Sequence, residues 1–208
     1  KVSYTKNIKM KSENKYIGDD KFKKFLEHYN CPTPLDVVKL RFAGAICSPN
    51  TELRPTDVIA SLWENNQAPR LETKNEAELF FKFFMGLWDE MFELVSANSV
   101  VLPRIEPTAD LIEVCEERYN ELELGFIEGF WGGKDDAKLP AYIAEVVDSL
   151  SQLAEVYKSM TSKIHPEKDN KNVFDAIIQC DKMAVKSINF LVEHYVLPHI
   201  DSLRRTVN

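Results

Sequence analysis

NEAELFFKFFMGLWDEMFELVSA, residues Asn75–Ala97, is the stretch on which the fold turns. Its apolar residues Leu79, Phe80, Phe83, Phe84, Leu87, Trp88, Met91, Phe92, Leu94 and Val95 recur at steps of three and four, with Phe81 and Met85 on the flanks. That is helical periodicity with a wide apolar stripe. Asn75, followed three residues later by Glu78, reads as a capping-box variant. The helix would span roughly 34 Å at about 1.5 Å per residue. Burying ten such side chains has a gross value of roughly 15–30 kcal/mol, much of it offset by ordering entropy. A helix this apolar must be covered on most sides, so the sequence predicts it at the centre of a bundle. Core packing is the first reading of its aromatic stripe. A pocket for a flat ligand is the second.

The flanking segments repeat the pattern. A short helix is predicted from Asp19 or Asp20 to Tyr29. Thr33 is expected to cap a second helix, with Pro34 at its first position. Pro55 opens a third, running to about Asn65. After the central helix, Pro107 and Thr108 are expected to start a long helix through Phe130, stopped by Trp131-Gly132-Gly133. Pro140 opens another to about Met160. Asn172 caps the last long one to about Val196, and Pro198 begins a final turn. The fold class is all-α: a single-domain bundle of about seven or eight helices with short connections. Residues 1–18 read as a flexible or loosely docked Lys-rich arm, and 19–208 as the helical domain. The arm offers little apolar surface, so 19–208 is expected to fold with nearly unchanged stability.

The net charge of −7 is uneven. Residues 1–30 hold eight Lys against four acids, while the remainder holds 18 basic and 29 acidic residues. An acidic body disfavours a nucleic-acid backbone as partner. No run of eighteen apolar residues exists, so no membrane span is expected. Cys31, Cys47, Cys115 and Cys180 are scattered, which suits buried thiols in a reducing cytoplasm rather than a zinc site or a disulfide framework.

Two segments together resemble a known family. "LRFAGAICSPNTELRPTDVIASLW" (40–63) and "YNELELGFIEGFWGG" (119–133) flank the aromatic helix. This order is similar to the YecA/YgfB-like family of bacterial helical proteins, the second segment matching at Gly125-Phe126 and Gly129-Phe130. The resemblance spans roughly residues 25–160. It implies a helical, cytosolic, bacterial protein and no particular reaction. Tyr119 stands further from Gly125 than the family's aromatic does, and the C-terminal zinc module of some relatives has no counterpart here. Read on their own, Gly125 and Gly129 lie four apart and let another helix approach closely. A backbone-lined groove is the alternative.

Catalytic signatures are missing. No Glu-x-x-His, Gly-rich phosphate loop or Gly-x-Ser-x-Gly elbow occurs. The spacing of His194 and His199 does not suit one helical metal face. No catalytic residue, metal ligand or cofactor is assigned. Glu113, Glu117 and Glu121, at successive steps of four, are expected to share a solvated face that could dock a basic partner. With Trp131 at the helix end they are the candidate contacts of a non-enzymatic interaction or regulatory protein of the cytoplasm. The competing reading is an enzyme or small-ligand-binding bundle. Its pocket would lie between the central helix and the Gly125–Gly129 helix, lined by Phe84, Trp88, Gly125, Phe126 and Gly129. Whether those aromatics pack shut or line a cavity separates the two.

Overall fold

The computed structural model describes residues 15–106, 109–134, 137–165 and 170–198. Among them the chain is an all-α bundle with one apolar core. The helices are α1 (Asp19–His28), α2 (Leu35–Ile46), α3 (Pro55–Ala60), α4 (Lys74–Ser96), α5 (Leu111–Tyr119), α6 (Glu128–Trp131), α7 (Ala141–Met160) and α8 (Lys171–Leu191). A π-helical segment, Asn120–Ile127, joins α5 to α6 with helical backbone at both junctions, so 111–131 is one continuous rod. A second π segment, Val192–Val196, extends α8. Residues 1–14 of the expected arm, the Pro107-Thr108 start and the turn beyond Pro198 lie outside the described residues.

The helix ends follow local chemistry, sometimes from a neighbouring residue. Helix α4 is capped by Thr73, not Asn75: its hydroxyl accepts from the Glu76 amide, and the Glu76 carboxylate accepts from Glu72 N. Thr73 is the cap because its hydroxyl satisfies an orphan amide of the first turn, while Glu76 reaches back to the amide of the residue before the cap. Thr33 does not cap α2; its hydroxyl donates to the Leu62 carbonyl (2.7 Å), and Pro34 takes the cap position. Asp110 caps α5 by accepting from Ile112 N at 2.8 Å. Helix α3 stops at Ala60, and a 3₁₀ turn, Glu64–Asn66, replaces its expected end. Gly132, at φ 54°, ends the rod in the left-handed conformation that glycine adopts freely.

The central helix is α2, not α4. It packs against α1, α3 and α4 on one side and against the π segment and α6 on the other. Only Asp36, Lys39 and Arg41 interrupt its apolar sequence, and Arg41 is itself buried. Helix α4 is covered on one face only. Phe80, Phe84, Leu87, Met91 and Val95 are buried, but Leu79 and Phe92 are exposed, so its wide stripe exceeds what the bundle covers. On the covered side Phe84 meets Phe22, Phe25, Phe42 and Phe80 at centroid distances of 4.9–6.2 Å, mostly tilted or edge-on. Those geometries suit the ring quadrupoles.

On the other side of α2 the packing is backbone on backbone. A Cβ on Gly44 would lie 2.1 Å from the Phe126 carbonyl oxygen, and one on Gly129 would lie 2.2 Å from that of Arg41. Gly125 is looser, 3.1 Å from Leu40 Cβ. Gly86 of α4 performs the same service for residues 15–18, since its Cβ would fall 2.9 Å from the Lys15 carbonyl. Tyr16 and Ile17 pack against the core there. Packing against the core therefore includes residues before Asp19.

Two stability outcomes follow from this packing. Gly129→Ala should lose about 3 kcal/mol or fail to fold, the upper end of ordinary overpacking costs, because neither helix backbone can yield. Gly125→Ala should lose less, and urea titration of both variants measures the difference. Chains of residues 15–208 and 19–208 should also differ, the shorter by about 2 kcal/mol, through lost burial of Tyr16 and Ile17. Equal melting curves would show that residues 15–18 lend the core nothing.

Candidate functional site

The space expected to hold a pocket, between α4 and the Gly125–Gly129 helix, is filled by α2. Phe84 and Phe126 are fully buried, on opposite sides of α2. Trp88 packs against Phe42 at a tilt, with 5.2 Å between centroids. Gly125 and Gly129 bring the rod against α2. Of the five residues, Gly129 also borders open space, at one edge of a cleft described below.

The acidic face is divided as well. Glu113 and Glu117 are exposed on α5, but Glu121 is buried. Four residues advance a 3.6-residue helix about 40° beyond a full turn, so Glu117 is already rotated from Glu113, and the π segment that begins at Asn120 changes the turn again before Glu121. That rotation brings it to the side of Arg118, three residues earlier. Arg118 Nη1 donates to Glu121 Oε2 at 2.7 Å, and its Nε and Nη2 donate to the two Asp181 oxygens at 3.0 and 3.2 Å. Nη2 also donates to the Pro103 carbonyl, and the Tyr157 hydroxyl donates to Asp181 Oδ1 at 2.7 Å. One guanidinium thereby ties the rod to α8 and to the connector 101–106, and Tyr157 brings in α7. Burial pulls the Arg118 guanidinium down, but Glu121 and Asp181 outweigh it and its pKa ends above the ordinary value. Burial pushes the Glu121 carboxyl up to about 7, with Arg118 opposing. An arginine in an apolar stripe with an acid at i+3 is the sequence signal that marks this pair.

Trp131 lies at the far end of the rod, eighteen residues from Glu113, or roughly 27 Å along the axis. The structure therefore does not bring the four candidate contact residues together. Trp131 instead borders a cleft of about 910 Å³ between the end of α3, the rod and the loop before α7. Arg41 forms part of its floor. Its Nη1 donates to the Ser61 carbonyl (2.7 Å), Nε and Nη2 donate to the Leu124 carbonyl (2.9 and 2.5 Å), and Nη2 donates to Glu128 Oε2 (2.5 Å). Burial pulls this guanidinium below its ordinary value, with Glu128 acting against it. Asp57, Glu123 and Glu128 supply carboxylates to the walls. Asp57 is held by Arg54 and Glu128 by Arg41, while Glu123 makes no ion pair among the described residues.

The loop 48–54 closes this end. Leu53 covers Gly132, where a Cβ would lie 2.6 Å from Leu53 Cδ2, and Lys134 pairs with Glu52 at 2.6 Å. Trp131 is half-buried against Phe130, with 5.4 Å between ring centroids. An indole face beside carboxylates is suited to an organic cation, through the ring quadrupole and through charge. In the sequence Glu123 and Glu128 are two acids among the many of the rod and Asp57 is one of α3, and nothing groups them, because only the fold joins α3 to the rod.

Among the described residues, no three His, Cys, Asp or Glu side chains are grouped to hold a metal ion, and no helix is long and apolar enough to cross a membrane. Comparison of the chain with family models, with curated proteins and with solved structures finds no match.

The raised Glu121 pKa has a pH consequence. A carboxyl whose folded pKa lies above its unfolded value contributes stability at low pH and loses it as pH rises through the folded pKa. The urea midpoint of the wild type should therefore fall between about pH 5 and about pH 8, and that fall should shrink in Glu121→Gln. Arg118→Leu should lose about 3–5 kcal/mol at neutral pH, because it strands two carboxylates in the interior. Parallel midpoints across the pH range for wild type and Glu121→Gln would remove Glu121 as the titrating group.

Proposed function

We propose that this protein is a non-enzymatic interaction module that takes a basic segment of a partner protein into the Trp131 cleft. The supporting observation is the juxtaposition of a half-buried indole with Asp57, Glu123 and Glu128 around one concavity. Glu123 is the carboxylate left without an internal cation, so it is the one available to a Lys or Arg side chain from outside. The net charge of −7 would speed encounter with a basic partner and oppose a nucleic-acid backbone. Four free thiols agree with a reducing compartment, and a cytoplasmic location belongs to the same proposal. Kinship with the YecA/YgfB-like proteins is also proposed, on the Gly125-Phe126 and Gly129-Phe130 steps; it adds no activity.

A second reading has one observation in its favour. The cleft volume falls within the range of about 300–1,000 Å³ usual for small-molecule sites, so a free organic cation could occupy the same place.

The test is capture from a lysate of the source cells at low and high salt, with mass spectrometry, using wild type and Glu123→Lys as baits. The expected result is a protein with a Lys/Arg-rich segment, held at low salt, released at high salt and absent from the Glu123→Lys bait. Trp131→Ala should weaken binding of a synthetic peptide of that segment by about tenfold. Recovery of only small molecules would favour the second reading. A partner captured equally by both baits would remove the cleft from the interaction.

A further inference from the structure

The connector 101–106 forms an exposed ridge between two concavities of opposite character. Val101 at its crest is 67% exposed. On one side, α8 presents Ile178, Lys182, Val185, Lys186 and Phe190 to an apolar groove of about 730 Å³, whose other wall is Val101–Ile105. Its lining extends from Ile178 to Glu193, fifteen residues or roughly 22 Å of helix. On the other side, α5 presents Glu113 and Glu117 to a shallower hollow that shares Pro103, Arg104 and Ile105 with the first. Lys182, Lys186, Glu113 and Glu117 make no ion pair among the described residues.

We infer that this ridge and its two walls form a two-fold interface with a second copy of this chain. The argument is self-complementarity. A closed dimer must present one patch to itself, so that each residue of one copy meets its counterpart's partner twice. A surface with Lys182 and Lys186 on one side of the connector and Glu113 and Glu117 on the other satisfies that condition in charge, the connector itself carrying Val101 and Ile105 beside the exposed Arg104. A two-fold axis through the ridge sets α5 of one copy along α8 of the other. The charges match in spacing as well as in sign: Glu113 and Glu117 are one turn apart, and so are Lys182 and Lys186, each pair about 6 Å along its axis. Phe190 and Val101 supply apolar surface between them. The cleft at Trp131 is a different surface, and its occupancy does not enter this inference.

The experiment is sedimentation velocity of the full chain across a concentration series at low and high salt, with Lys182→Glu/Lys186→Glu and Glu113→Lys/Glu117→Lys as charge-reversed variants. The wild type should sediment as a dimer at low salt and dissociate as salt is added. Each reversed variant alone should dimerise about tenfold more weakly or worse. An equimolar mixture of the two should restore a one-to-one dimer, because the reversed walls again face opposite charge. Circular dichroism confirms the fold of each; if a double variant does not fold, Lys186→Glu and Glu117→Lys replace the pairs. A wild type that stays monomeric at every concentration overturns the inference, and so does a dimer that the reversals leave unchanged. An acidic peptide that binds a monomeric wild type at Lys182 and Lys186 would assign the groove to a different partner and also overturn it.

Discussion

Where α2 crosses the 111–131 rod, three glycines let two helix backbones touch, and the rest of the architecture depends on that contact. With Gly44 under the Phe126 carbonyl and Gly129 under that of Arg41, no side chain separates the helices at the crossing. Any Cβ there would force them apart. Close approach has two consequences. It makes α2 the shared wall of two packed halves, an aromatic one with α1, α3 and α4 and a mixed one with the rod, α7 and α8, where Phe126, Phe130 and Tyr157 are buried among aliphatic side chains. It also brings the Arg41 guanidinium within reach of Leu124, whose carbonyl lies in the π segment. The wider i→i−5 turn displaces carbonyls from the ordinary helical ladder, and π turns of this kind commonly occur at sites with a further task.

Arg41 and Arg118 act as fasteners for these halves. Each is buried, and each is surrounded by acceptors from several parts of the chain: Arg41 by Ser61, Leu124 and Glu128, Arg118 by Pro103, Glu121 and Asp181. Buried ion pairs add little net stability over apolar replacements, because desolvation consumes the Coulomb gain. Their effect here is geometric. A guanidinium with a rigid fork of donors accepts one arrangement of its partners, so the two arginines set the register between α2 and the rod and between the rod and α8. Apolar packing alone would leave such sliding motions poorly determined.

The aromatic periodicity of α4, Pro55 and Pro140 at the starts of α3 and α7 and the Gly132-Gly133 stop are legible in the sequence, because each is a local signal; the start expected at Pro107 is not, since α5 begins at Leu111 behind an Asp110 cap. Apolar content alone points to α4 as the centre of the bundle, but it is not the measure of burial. The run LDVVKLRFAGAI of α2 carries fewer aromatics than α4, yet it has almost no continuous polar face, and a helix apolar all round is the one that is enclosed. The small residues Ala43, Gly44 and Ala45 carried the same message, since only small residues permit the crossing. Glu113, Glu117 and Glu121 do not share one face, because steps of four drift by about 40° in a helix of 3.6 residues per turn and the turn widens at Asn120. The cleft was not legible at all. Asp57 and Glu128 are seventy-one positions apart, and neither has a local pattern that separates it from other surface acids.

Once Glu121 is removed to the interior and Glu128 is engaged by Arg41, the acids of the rod no longer form one surface. Glu113 and Glu117 look out beside the 101–106 ridge, while Glu123 and Glu128 look into the Trp131 cleft, roughly 15–20 Å further along the rod. At physiological salt the Debye length is about 8 Å, so the two groups barely sense each other through water. They are therefore independent electrostatic surfaces. Coupling between them would have to pass through the rod itself. The part of the rod most open to such rearrangement is its π segment, where Glu121 and the Leu124 carbonyl already engage the two buried arginines.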